Sequence, residues 1–96
     1  MTAIVGLCTL EFHLPEAQSL KDKRATLKSV LSKLQNTFHV SAAETDFLDK
    51  WQRAEIAFVI VSNSQQHNET ILEEALRWIE THYPQILIMS HHIDAL

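Results

Sequence analysis

The sequence predicts an α+β domain of the ferredoxin-like type, with two helices on one face of a four-stranded antiparallel sheet. Two observations predict it. Hydrophobic periodicity switches cleanly between a two-residue and a 3.6-residue repeat, in the order βαββαβ. The switches are punctuated by the two prolines, Pro15 and Pro84, and by serines placed to cap helices, Ser19 and Ser62-Asn63-Ser64. Two helices laid over one face of four strands is the economical way to bury such elements, the split βαβ arrangement. A single domain accounts for residues 1–96, without repeat, linker or low-complexity segment.

The elements follow in order. Residues 3–14 alternate, with Ile4, Gly6, Cys8, Leu10, Phe12 and Leu14 on one face and Val5, Leu7, Thr9, Glu11 and His13 on the other. Pro15 ends this strand. Ser19 opens a helix to about Asn36, whose apolar stripe is Leu20, Leu27, Val30, Leu31, Leu34 and Phe38. A short second strand, about His39 to Glu44, precedes a polar loop from Thr45 to Arg53. Strand three, Ala54 to Val61, sets Ile56, Phe58 and Ile60 against Glu55, Ala57, Val59 and Val61. The second helix runs from about Gln65 to His82 with Ile71, Leu72, Ala75, Leu76, Ile79 and Tyr83 inward. Pro84 stops it, and strand four spans Ile86 to about His92.

Composition excludes several classes. Hydrophobic residues make up 46% and charged residues 21%, as in an ordinary globular domain. With a net charge of −4, this is no general nucleic-acid coat, so any nucleic-acid contact must be local. Such a locality exists, because five of the eight bases lie between Lys21 and Lys33. Cys8 has no partner cysteine, which suits a reducing cytoplasm. The apolar stretch from Met1 to Leu14 lacks a basic start and is broken by Glu11 and His13, so it does not read as a secretory signal. No run approaches the ~20 apolar residues of a membrane span. The expectation is a cytoplasmic protein without a membrane partner.

The run Ser19-Leu20-Lys21-Asp22-Lys23-Arg24 is locally inconsistent. Ser19 is a good N-cap and Asp22 stands where a capping-box acid belongs. Lys21, Lys23 and Arg24 place cations at the positive end of a helix, each costing ~0.3–1 kcal/mol. Free N–H groups, the helix dipole and cations together describe an anion site. At ~100° per residue, Lys23 falls beside Leu27, Val30 and Leu34 on the sheet side, whereas Lys21, Arg24 and Lys28 flank that stripe. Two readings of Lys23 follow: it contacts a partner, or it forms a structural ion pair at the helix foot with Glu44 or Glu11.

Trp51 and Arg53 also carry two readings. An aromatic and a cation in a loop can stack on a base and pair with a phosphate. Alternatively, Trp51 plugs the core edge beneath the loop and Arg53 bridges to an acid. A sheet-surface RNA reader is disfavoured, because the open-face positions Leu7, Thr9, Ala57 and Val59 are not aromatic. That open face, with Val5, Leu7, Ala57, Val59, Val61 and the candidates Leu87 and Met89, is too apolar to stay wet, and self-association through it, or docking of a partner, is expected. No catalytic residue, metal site or cofactor is expected. Gly6 is the only glycine, so no glycine-rich phosphate cradle can form. His91 and His92 point to opposite sides of a strand, and His13, His39, His67 and His82 lack ligand spacing.

Ser19 to Arg24 with the strand and Pro15 before it, Ala43-Glu44, Asp46, Trp51-Gln52-Arg53-Ala54 and Val61-Ser62-Asn63 together resemble the bacterial YlxP-like family, a domain of unknown function, over nearly the whole chain. The resemblance implies a ferredoxin-like fold and a gene often placed among translation and ribosome-maturation genes. The chain departs from the family pattern just before Trp51, where Phe47-Leu48-Asp49-Lys50 replaces a polar stretch. Two functional expectations result. One is a non-enzymatic binding protein that contacts RNA or the ribosome through Lys21, Lys23, Arg24, Lys28, Trp51 and Arg53. The other is a dimeric regulatory or scaffolding module with a small ligand or protein partner.

Overall fold

Alternation and capping translate directly into six elements: β1 (Ile4–His13), α1 (Leu20–Phe38), β2 (Ser41–Asp46), β3 (Arg53–Ser62), α2 (Gln65–His82) and β4 (Leu87–Ala95). The computed structural model describes residues 2–96; Met1, the first residue of the expected domain and of its apolar N-terminal run, lies outside the described residues. The strands form one antiparallel sheet in the order β2-β3-β1-β4, the ferredoxin-like arrangement.

The even-numbered side of β1, with Cys8, Leu10 and Phe12, joins Ile56 and Phe58 of β3 in one core with Leu27, Val30 and Leu34 of α1 and Leu72, Ala75 and Ile79 of α2. Each fully buried aliphatic or aromatic side chain here contributes ~1.5–3 kcal/mol relative to exposure. The helix ends are closed by aromatics. Trp78 stacks on His82 at 4.8 Å and meets Phe38 and Tyr83 edge-on, while Tyr83 Oη and Ser29 Oγ lie 2.7 Å apart and join the two helices.

The bounds of α1, β2 and β4 differ from the sequence expectation. Helix α1 continues past Asn36 to Phe38, because Phe38 has Trp78 to pack against. His39 then caps the helix in the left-handed region (φ 56, ψ 41), its N–H donating to Gln35 O. Strand two therefore begins at Ser41 rather than His39. It extends to Asp46 because the ladder slips between Glu44 and Asp46, a bulge that resumes pairing one residue on. Strand four starts at Leu87 and runs beyond His92 to Ala95, which brings Ile93 opposite Cys8.

The opposite face of the sheet carries no helix. Register places Val5, Leu7, Thr9, Glu11 and His13 of β1 beside Val61, Val59, Ala57, Glu55 and Arg53 of β3. On β4, Asp94, His92 and Ser90 follow beside Leu7, Thr9 and Glu11, and a slip leaves Met89 between paired residues. This face is therefore apolar at one end and charged at the other.

Asn68 is a buried polar residue that helical phase alone places in the α2 stripe, four residues before Leu72. Its Nδ2 donates to Ile4 O and its Oδ1 accepts from Ser62 Oγ, so α2 is tied to the start of β1 and the end of β3. Gly6 makes this approach possible, since a Cβ there would sit 3.0 Å from both Asn68 Cβ and Leu72 Cδ1. Gly6→Ala should consequently cost ~1–3 kcal/mol by overpacking, read as a lowered midpoint in thermal or urea denaturation; an unchanged midpoint would show that the helix yields freely.

Candidate functional site

Lys23 organises the end of the molecule where α1 begins. Its helical phase aims it at the sheet, and its side chain is 0% exposed. The ammonium Nζ donates to Phe47 O at 2.7 Å, Arg53 O at 3.3 Å and Leu48 O at 3.4 Å, and lies 3.0 Å from Glu44 Oε2. Four oxygens surround three protons. The carboxylate oxygen is the one left without a well-directed hydrogen bond, so its contact is Coulombic. Of the two acids the sequence offered, Glu44 is the neighbour of Lys23, while Glu11 Oε2 accepts from Arg53 Nε at 3.0 Å. Because Lys23 has no exposed surface, the expectation that it contacts a partner is corrected: its charge is consumed inside the fold.

The β2–β3 loop takes its shape from these bonds. Phe47 is left-handed (φ 59), an uncommon conformation for a bulky residue, and is held by its N–H donating to Asp46 Oδ1 and its carbonyl accepting from Lys23 and from Lys50 N–H. The Arg53 guanidinium lies 3.8 Å from the centre of the Phe47 ring. Gln52 Nε2 donates to Pro15 O and Ala17 O, and Leu14 N–H donates to Gln52 O, which stitches the loop to the β1–α1 connection. Trp51 is left outside. It is 54% exposed, contrary to the reading in which it plugs the core edge, and borders a shallow concavity of about 590 Å³ with His13, Asp49, Lys50, Gln52 and Arg53.

The first turn of α1 is not a vacant anion cradle. Ser19 Oγ accepts from Asp22 N–H, and Asp22 Oδ2 accepts from Gln18 N–H, so the cap is internally satisfied. The concavity of about 490 Å³ beside it is lined by Glu16 and Asp22 with no base among its lining residues. What stays available is the ridge Lys21, Arg24 and Lys28, all exposed and spaced i, i+3, i+7 along one side of the helix. The structure thus brings Trp51 and Arg53 to the same end of the domain as the start of that ridge, with Lys23 as the internal tie.

Cys8 lies in the core, and burial pushes its thiol up to about 12, leaving it a small neutral hydrophobe. His91 and His92 stand opposite Leu10 and Thr9 on alternate sides of β4. Among the described residues no group of three or more His, Cys, Asp or Glu is placed to hold a metal ion, and no helix is long and apolar enough to cross a membrane.

Fold and site define a small ferredoxin-like α+β domain whose distinguishing features are a buried lysine and an exposed tryptophan. The chain belongs to the DUF503 family, described as a protein of unknown function, whose model matches residues 5–93. It is 37% identical over 83 residues to the uncharacterized protein YlxP of Bacillus subtilis (strain 168), covering 86% of this chain and 89% of that protein. Among solved structures it is similar to the de novo designed protein Foldit4, with a TM-score of 0.55 and 14% identity over 99% of this chain and 97% of that one. That likeness concerns the fold alone.

Replacing Lys23 by Met should strand Glu44 and three carbonyls, costing ~3–5 kcal/mol and lowering Tm by well over ~10 °C in calorimetry. A second expectation concerns alkaline pH. The unfolded thiol of Cys8 ionises near 9.0 and the folded one near 12, so the stability it contributes is complete below pH 9.0 and is lost as pH rises toward 12. Denaturation curves should show wild type losing stability faster than Cys8→Ala above pH 9.0; parallel losses would contradict the buried assignment.

Proposed function

We propose that this protein is a non-enzymatic binding module that contacts single-stranded RNA, stacking a base on Trp51 and pairing phosphates along Lys21, Arg24 and Lys28. The observation that carries this reading is the exposure of Trp51 on a loop whose backbone is bonded to Lys23 and to the β1–α1 connection, since tryptophan is highly buried on average. An exposed aromatic ring offers a face on which a base can stack, and base–aromatic stacking is worth ~1–3 kcal/mol. Lys50 borders the same concavity and adds a cation beside the ring, while Asp49 limits how much phosphate that spot accepts. Phosphate pairing is therefore assigned to the α1 ridge. Arg53 supports the loop, because its Nε is engaged by Glu11 and its guanidinium lies over Phe47. The reading accords with the translation and ribosome-maturation setting that the family resemblance implies.

The test is fluorescence titration of a Trp78→Phe background, which isolates Trp51, with a single-stranded RNA oligonucleotide at several salt concentrations. Binding should quench Trp51, and the logarithm of affinity should fall with log salt at a slope of roughly −2, given ~0.7 per phosphate and three cations. Charge reversal at Lys21 and Arg24 should flatten that slope, and Trp51→Ala should weaken binding by ~1–3 kcal/mol. Fluorescence indifferent to RNA at low salt, or an affinity that survives both changes, would refute the proposal.

A further inference from the structure

The helix-free face of the sheet presents Val5 and Leu7 of β1 and Ala57, Val59 and Val61 of β3, with Ala43 of β2 next to Ala57 and Leu87 of β4 next to His13. Val61, Leu87 and Met89 are exposed by more than half. An antiparallel sheet with one wet face ordinarily alternates apolar-in and polar-out. Here, of the five rows in which β1 and β3 face each other, the two at the Val5 end are wholly aliphatic and the third pairs Thr9 with Ala57.

We infer that this face is the contact between two copies of the chain, packed sheet on sheet about a two-fold axis that runs along the strands between β1 and β3. The layout of the face supplies the argument. Such an axis lays β1 of one copy over β3 of the other, and the two columns match row by row. Val5 meets Val61, Leu7 meets Val59 and Thr9 meets Ala57, to within the ~30° by which stacked sheets rotate. The outer strands are complementary under the same operation. Ser41 of β2 comes over Asp94 of β4 in the second copy, Ala43 over His92, and Asp46 over Ser90, so hydroxyls face carboxylates and the smallest side chain faces an imidazole. An isologous interface needs this self-complementarity.

The strands are 10, 6, 10 and 9 residues long, and at ~3.3 Å per residue and ~4.8 Å between strands they give a face on the order of 550 Å², below the ~800 Å² per partner of a standard interface, the size of a dimer that dissociates on dilution. Two rows are unfavourable, since Glu55 comes over Glu11 of the second copy and Arg53 over its His13. Within each copy Glu11 is engaged by Arg53 and Glu55 by Thr45 Oγ1 at 2.7 Å. The dimer is held by the aliphatic rows and opposed by the charged ones; it leaves the α1 ridge free on the other layer, while His13 and Arg53, which line the Trp51 concavity, stand at its charged edge.

Analytical ultracentrifugation over a wide concentration range tests it, with circular dichroism melts to verify folding of each variant. Wild type should sediment as a dimer that dissociates on dilution. Val59→Lys and Leu7→Lys, both on the helix-free face and away from the core, should remain folded and be monomeric throughout. Glu55→Gln should tighten the dimer several-fold by removing the acidic opposition. A wild-type monomer at the highest concentration, a dimer that survives both lysine variants, or a Glu55→Gln variant that dissociates more readily would overturn the inference.

Discussion

Placing one ammonium group inside the fold constrains everything at the α1 end of this protein. A lysine without exposed surface is tolerable only where its three protons and its charge are all answered. Phe47 O, Leu48 O and Arg53 O answer the protons and Glu44 answers the charge. Those partners come from the end of β2, the following turn and the first residue of β3. The position of helix α1 and the path of the β2–β3 loop are therefore tied to each other. The left-handed Phe47, the guanidinium over its ring and the outward Trp51 are consequences of that convergence.

The far end of the sheet repeats the device with a neutral group. Asn68 on α2 bonds Ile4 O and Ser62 Oγ, and the bare Cα of Gly6 gives the helix room to approach. Each helix thus carries one buried polar side chain in its otherwise apolar stripe, and the two anchor opposite ends. Between them the core is purely apolar and non-directional, so Lys23 and Asn68 supply much of the register that hydrophobic burial leaves open.

Alternation, capping and turn placement account for the six elements, so residues that those rules do not require are the informative ones. Trp51 out in solvent and an aliphatic outer sheet face are not required by the architecture, whereas Lys23 and Phe47 are bound into it.

Element types and order were legible in the sequence because strand and helix periodicities rest on local geometry, in which two-residue and 3.6-residue repeats cannot be confused over ten or more residues. The inward phase of Lys23 was legible for the same reason, as was Glu44 as a nearby acid. Asn68 was equally available to that reasoning, sitting four residues before Leu72, but polar character masked its place in the stripe. Only tertiary structure decided the rest. The carbonyls around Lys23 belong to a loop whose path no periodicity encodes, and backbone oxygens look alike in every sequence. The sequence left Trp51 between core plug and exposed ring, because the choice depends on whether Arg53, Phe47 and Gln52 have already filled the space beneath the loop. Local spacing determines which side of an element a residue faces; what it meets there is set by segments distant in the chain, whose approach follows from packing.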